Sequence, residues 1–221
     1  MEGADSLADG SPSEYTLRRY VKDAEGGSAV IWFEAISIVP EGRSGRTQLY
    51  LCRENLDQYK RLPRPLNGSR APGQRGLPPG WSCRPTIPAG TPTPTTSPLP
   101  SSPAATPTTK KFRAADDSCI VSDDYLKGLE EKFGEAAALA KEAGFDAVDI
   151  KACHGYLLAE LNAAWLRPGP YGSSLENRTR LLRNAIAAAK VHEDASFMVT
   201  CRLGIYDGCP RPYGFGAAGG R

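Results

Sequence analysis

No run in this sequence approaches the length of a membrane span. The opening Met-Glu-Gly-Ala-Asp has neither a charged n-region nor an apolar h-region. A cytoplasmic protein with no membrane contact is the expectation. The six cysteines, Cys52, Cys83, Cys119, Cys153, Cys201 and Cys209, lie far apart, with no Cys-x-x-Cys pair and no metal-ligand spacing. In a chain this long they read as free thiols in a reducing compartment, not as a disulfide framework or a metal centre. Excess charge is scarce too: a net charge of +2 is too small to favour nucleic acid or an anionic membrane surface.

The sharpest absence is local. Residues 63–109 contain no Asp, Glu, Val, Phe, Tyr or His, yet hold thirteen of the nineteen prolines. Proline gives no N–H to a ladder and blocks a helix interior, so this stretch is expected to be irregular, with neither central strand nor helix. Composition thus divides the chain into 1–62, an irregular 63–109, and 110–221.

Ordinary globular patterning flanks that segment. Ser11-Pro-Ser-Glu14 has the form of a capping box with Pro at the first helical position, predicting a helix through Leu17, Tyr20 and Val21 that stops at Gly26-Gly27. Residues 28–39 are too continuously apolar for a half-exposed strand and suit one buried on both faces of a parallel sheet. A second helix is expected over 55–62. Ser122 can cap a helix with Asp123 and Asp124 in its first turn and a stripe of Leu126, Leu129, Phe133, Ala137 and Ala140. Short and longer helices are expected over 157–166 and 175–191, and a strand over 197–202.

The most informative stretch is 143–178. Gly144 suits the left-handed position after a helix, and residues 145–150 form a short apolar strand. Lys151, His154 and Tyr156 crowd its C-terminal end, where the βα loops of parallel α/β proteins build ligand sites. On spacing alone, a structural His and a packed Tyr compete with catalytic roles.

The run Asp149-Ile-Lys-Ala-Cys-His-Gly-Tyr-Leu, followed by Arg167-Pro-Gly-Pro-Tyr-Gly-Ser-Ser-Leu-Glu-Asn-Arg178, resembles the signature of the old yellow enzyme family. These are FMN-dependent NAD(P)H oxidoreductases built on a (β/α)8 barrel, with the pattern His-x-x-His/Asn-Gly-Tyr and then Tyr-Gly-Gly-Ser-x-x-Asn-Arg. The resemblance implies that His154 holds a substrate carbonyl over the flavin and that Tyr156 is the proton donor. Lys151 stands where the first His is usual, and Ser173 where the second Gly is usual. Arg202, closing the strand over 197–202, falls where a guanidinium stabilises the N1/C2=O edge of reduced FMN. An Arg pairing with a neighbouring carboxylate at a loop is the plainer alternative for it. Ala35 and Glu2 fall where the second and first strands approach the flavin. The substrate class implied is an activated alkene or similar electrophile, reduced with NAD(P)H.

The resemblance also implies an α/β fold that is an incomplete (β/α)8 barrel. A whole barrel takes about 250 residues, and the recognisable sequence covers strands two, four and five with their helices. The phosphate site of such barrels follows strands seven and eight, so weak FMN binding, or none, is expected of this chain alone, and an inactive portion or binding module is the alternative to an enzyme. Residues 63–109 stand where the third strand belongs. Either they are a Pro/Thr/Ser linker, or they are read out of frame. Shifted by one base, residues 81–92 are compatible with Val-Leu-Gln-Thr-Asn-His-Ser-Gly-Arg-Tyr-Ser, which resembles the family's third strand. The nucleotide sequence decides between the two.

Overall fold

A computed structural model of the chain describes residues 3–26, 28, 30–62, 120–206 and 214, together with the backbone of Thr86–Ile87. Its centre is a parallel sheet of three strands in the order β1 (Thr86–Ile87), β2 (Ala147–Ala152), β3 (Met198–Leu203). Asp149 and Ile150 pair with β1, while all of β2 pairs with β3, from Ala147 opposite Met198 to Ala152 opposite Leu203. Strand side chains alternate between faces. Val148, Ile150 and Ala152 therefore join the hydrophobic core on one face, and Asp149 and Lys151 share the other.

Two helices cover the apolar face. α3 (Asp123–Glu142) is capped by Ser122, whose hydroxyl accepts from the Tyr125 N–H, and Asp123 and Asp124 occupy its first turn as expected. It buries Leu126, Leu129, Phe133, Ala137 and Ala140. α6 (Arg180–Lys190) buries Leu181, Leu182, Ala185 and Ala189. The helices approach closely at Gly134, where an added Cβ would lie 3.4 Å from the Ala188 methyl. α3 ends in a Schellman arrangement: Gly144, at φ +86°, donates to the Lys141 carbonyl and Phe145 to that of Ala140. This sharp exit sends the chain straight into β2.

Four expectations need correction. Within the segment read as irregular, Thr86–Ile87 forms β1. Thr and Ile favour extended backbone, and two residues suffice for a short pairing with β2 even though Pro85 and Pro88 flank them in sequence. The rest of 63–109 lies outside the described residues.

The second correction concerns residues 30–39, which form no strand ladder among the described residues. They are largely buried, with bridge residues at Ala35 and Ser37, the latter paired in parallel with Tyr50, and a bond from the Ser37 N–H to the Leu49 carbonyl at 2.9 Å. Their burial comes from side chains. The Phe33 ring lies 4.1 Å from Tyr20 and 5.6 Å from Phe145, so the apolar run reports enclosure, which periodicity alone cannot tell from strand.

Third, α1 (Glu14–Glu25) is capped by Ser13, in reciprocal bonding with Thr16, whereas Ser11 is held by the Asp9 carboxylate. Finally, the helix expected over 175–191 breaks at Thr179 into α5 (Leu175–Arg178) and α6. The Thr179 hydroxyl donates back to the Leu175 carbonyl at 2.8 Å, a bond that competes with regular helix. The remaining short helices are α2 (Leu56–Lys60) and α4 (Leu157–Asn162).

Phe133 is fully buried between the sheet and the helix layer. Phe133→Ala is expected to lower the unfolding free energy by about 3–5 kcal/mol in urea titrations, whereas Val191→Ala, at an exposed site, should change it by less than about 0.5 kcal/mol.

Candidate active site

The polar face of β2 and β3 carries the site. Asp149 and Thr200 are opposite one another, as are Lys151 and Arg202. The Asp149 side chain is only 2% exposed, and its two oxygens are divided: Thr200 Oγ1 donates to Oδ1 at 3.1 Å and Arg202 Nη2 to Oδ2 at 2.9 Å. A buried carboxylate needs such partners. The Arg202 guanidinium also lies 5.5 Å from the ring of Trp32, so it is held between a carboxylate and an aromatic face near the strand ends.

Lys151 is fully buried, with Nζ 3.7 Å from the centroid of the Tyr156 ring. Tyr156 is the N-cap residue of α4 and is half-buried. Between them the chain turns through two consecutive left-handed residues, His154 at φ +61° and Gly155 at φ +69°. Such a conformation is uncommon for His and is stored where the surroundings impose it. It leaves His154 exposed in the loop that follows β2.

The structure therefore brings Lys151 together with Tyr156, sets Lys151 beside Arg202, and places His154 at the loop's surface. Arg202 has a carboxylate partner, as in the plainer alternative, but on the adjacent strand and not at a loop. Ala35 is fully buried on the 30–39 run, its carbonyl accepting from Gln48 Nε2 at 3.4 Å. Beside it, Glu34 accepts from Arg19 Nη1 at 2.6 Å and from the Gly3 N–H, tying residue 3 and α1 to this run. Burial, reinforced by the Glu34 charge, pushes the nearby Tyr20 phenol well above its ordinary range. Glu2 lies outside the described residues.

Asp149, Thr200 and Trp32 were not singled out from sequence. Asp149 could have been: a carboxylate two residues before Lys151 in an apolar strand must share its face.

The signature over 167–178 has a mechanical role. The Arg178 guanidinium stacks on the Trp165 indole, its Cζ 3.3 Å from the ring centroid, and donates to the Ser173 and Asn162 carbonyls. Arg167 donates to the Val121 carbonyl at 2.9 Å and to Asp123 at 2.5 Å, and the Tyr171 hydroxyl donates to Glu130 at 2.8 Å. These bonds fasten the loop to α3. Gly172 is required because a Cβ there would overlap the Arg167 carbonyl oxygen. A groove of about 900 Å³, bounded by Trp165, Leu166, Leu175, Arg178, Leu203 and Ile205, opens beside the loop.

Comparison with known proteins now bears on this arrangement. Residues 92–213, more than half of the chain, match the model of the NADH:flavin oxidoreductase / NADH oxidase family. The chain belongs to this family, that of the old yellow enzymes. The NADPH dehydrogenase of Listeria monocytogenes serotype 4b is 27% identical over 194 residues, which are 86% of this chain and 54% of that protein. Morphinone reductase superposes with a TM-score of 0.68 at 19% identity, over 91% of this chain and 56% of its own. The old yellow enzyme homologue of Zymomonas mobilis gives 0.62 at 20% identity, over 90% and 56%. The chain thus spans about half the length of these relatives. The solved neighbours are TIM barrels, and the parallel α/β fold described above is theirs. The family's NADPH dehydrogenases use FMN and NAD(P)H. No described helix is long and apolar enough to cross a membrane.

Ser173 occupies the place of the family's second Gly and sits at φ +66°. A side chain in that conformation costs about 1–2 kcal/mol, from which glycine's greater unfolded-state entropy subtracts part. Ser173→Gly is accordingly expected to raise stability by about 0.5–1 kcal/mol, seen as a higher urea midpoint; a lowered midpoint would show that the hydroxyl is needed there.

Proposed function

We propose that this chain carries the central wall of an FMN-dependent oxidoreductase that takes hydride from NAD(P)H and reduces an activated alkene or similar electrophile. The observation that carries the reading is the joint placement of Arg202, Lys151 and Tyr156 on or beside the C-terminal ends of adjacent parallel strands in a member of this family. On this reading β1, β2 and β3 are the third, fourth and fifth barrel strands, and 30–39 takes the place of the second. The substrates are small molecules, and the cytoplasm is the proposed compartment.

The donor set suits the cofactor. The electron-rich N1/C2=O edge of a flavin calls for a fixed guanidinium, and Arg202 is two-thirds enclosed, oriented by Asp149 and by Trp32. Arg202 would hold that edge, and the backbone around Ala35 and Glu2 would line the isoalloxazine. FMN, when bound, supplies the hydride relay between NAD(P)H and substrate. His154 polarises the substrate carbonyl, which draws electron density from the conjugated double bond. Tyr156 gives a proton to the alkene carbon that does not receive hydride. A phenol is a weak acid in water, with an ordinary pKa near 10; its usefulness depends on position and on stabilisation of the phenolate it leaves.

A second reading is a binding module or inactive portion of the barrel. Reconstitution with FMN separates the two. Yellow protein with a flavin absorbance band after desalting supports the enzyme, and colourless protein supports the second reading.

In flavin-loaded protein, Tyr156→Phe is expected to slow alkene reduction by about 10²-fold or more while leaving flavin reduction by NAD(P)H within about twofold. Stopped-flow absorbance follows the two half-reactions separately. Equal slowing of both would make Tyr156 a support for fold or flavin and remove the proton-donor role.

A further inference from the structure

The family pattern has a histidine where this chain has Lys151, and the substitution changes what the position can do. A neutral imidazole can hold a substrate oxygen in one fixed tautomer. An ammonium brings a full charge, and here that charge is enclosed: Lys151 is fully buried and its Nζ lies 3.7 Å from the centroid of the Tyr156 ring. This is well inside the distance at which a cation is attracted to an aromatic face. Other charged side chains lie on the elements around Lys151. Arg202, the cross-strand neighbour of Lys151, is turned to Asp149 at 2.9 Å. Asp149 divides its oxygens between Arg202 and Thr200. His154 lies in the exposed loop, and Glu160 is on the next turn of α4.

We propose that Lys151 is a positioning residue that acts through Tyr156, its ammonium stabilising the phenolate left when the phenol gives up its proton, a role that rests on Tyr156 being the proton donor. The physical basis is differential. Against the neutral phenol the ammonium meets the ring quadrupole. As the O–H bond breaks, the electron pair stays with oxygen and spreads into the ring, and the contact becomes one between opposite full charges. The same lysine therefore favours the deprotonated ring over the protonated one, as a catalytic contact must. The family's electrophile-holding pair is then reduced to His154 alone, while Lys151 serves the acid. This predicts that Lys151→Met acts mainly on kcat for alkene reduction and little on KM for a carbonyl substrate.

The decisive readout needs no flavin. The tyrosinate absorbance contributed by Tyr156 is obtained at about pH 10, near the ordinary phenol midpoint, by subtracting the spectrum of Tyr156→Phe from that of the unsubstituted chain. The same subtraction is made in the Lys151→Met and Lys151→Arg backgrounds. The Tyr156 signal is expected to fall at least about fivefold in Lys151→Met and to stay within about twofold in Lys151→Arg, which keeps the cation. Equal signals in the unsubstituted chain and in the Lys151→Met background overturn the proposal, as does an equal loss in Lys151→Arg. If the substituted chains do not fold, NMR of the unsubstituted chain decides. A lysine side-chain CH2 signal displaced by the Tyr156 ring and restored in Tyr156→Leu supports the contact, and its absence overturns it. These results are independent of the kinetic test of Tyr156. A changed tyrosinate signal with equal slowing of both half-reactions would sink the proton-donor reading and leave the electrostatic coupling in place.

Discussion

The carboxylate of Asp149 is the constraint on which the polar face depends. A side chain so nearly closed to solvent keeps its oxygens only if donors reach them, because unpartnered burial of a polar group costs several kcal/mol. Two such donors come from β3: the Thr200 hydroxyl and the Arg202 guanidinium. The register that sets Asp149 against Thr200 and Lys151 against Arg202 is thus the register that satisfies the carboxylate. A slip of one residue would carry Asp149 to the apolar side and Val148 or Ile150 to the polar one. The same interaction therefore fixes the sheet and aims the cation.

Around that face, the rest of the chain is arranged to hold strand ends still. The Schellman turn at Gly144 delivers α3 into β2 without a loose connection. At the other end, the stack of Arg178 on Trp165 and the bonds from Arg167 to α3 tie down the loop after α4. The conspicuous motif over 167–178 is thus a fastening near the site, and its residues make contacts with backbone carbonyls and helix side chains. A short motif can mark a family through mechanics as readily as through chemistry.

Much of this was legible in the sequence because it follows from local rules. Helix α3 with its Ser122 cap, the left-handed Gly144, the strand that follows and the cluster at its end all come from capping, periodicity and turn chemistry. What escaped depends on neighbours distant in sequence. Residues 30–39 are apolar because Phe33 is enclosed by Tyr20 and Phe145, and a periodic pattern cannot say whether such enclosure includes a ladder. The strand at Thr86–Ile87 is set by its pairing with β2, against the proline content around it. That Asp149 shares a face with Lys151 is a local rule, but its pairing with Arg202 depends on the register of the two strands. Of the residues singled out for the site, Lys151 and Tyr156 meet, Arg202 stands beside Lys151, His154 is exposed in the loop between Lys151 and Tyr156, and Ala35 lies on the separate 30–39 run.

The coupling of Asp149 and Arg202 tests the central claim most directly, because it asks whether the cation is held by the carboxylate at all. A double-mutant cycle with Asp149→Asn, Arg202→Met and the paired substitution, read by urea unfolding, is predicted to give a coupling free energy of at least about 1 kcal/mol. Effects that simply add, within about 0.3 kcal/mol, would mean that the two side chains do not depend on each other and would contradict the account.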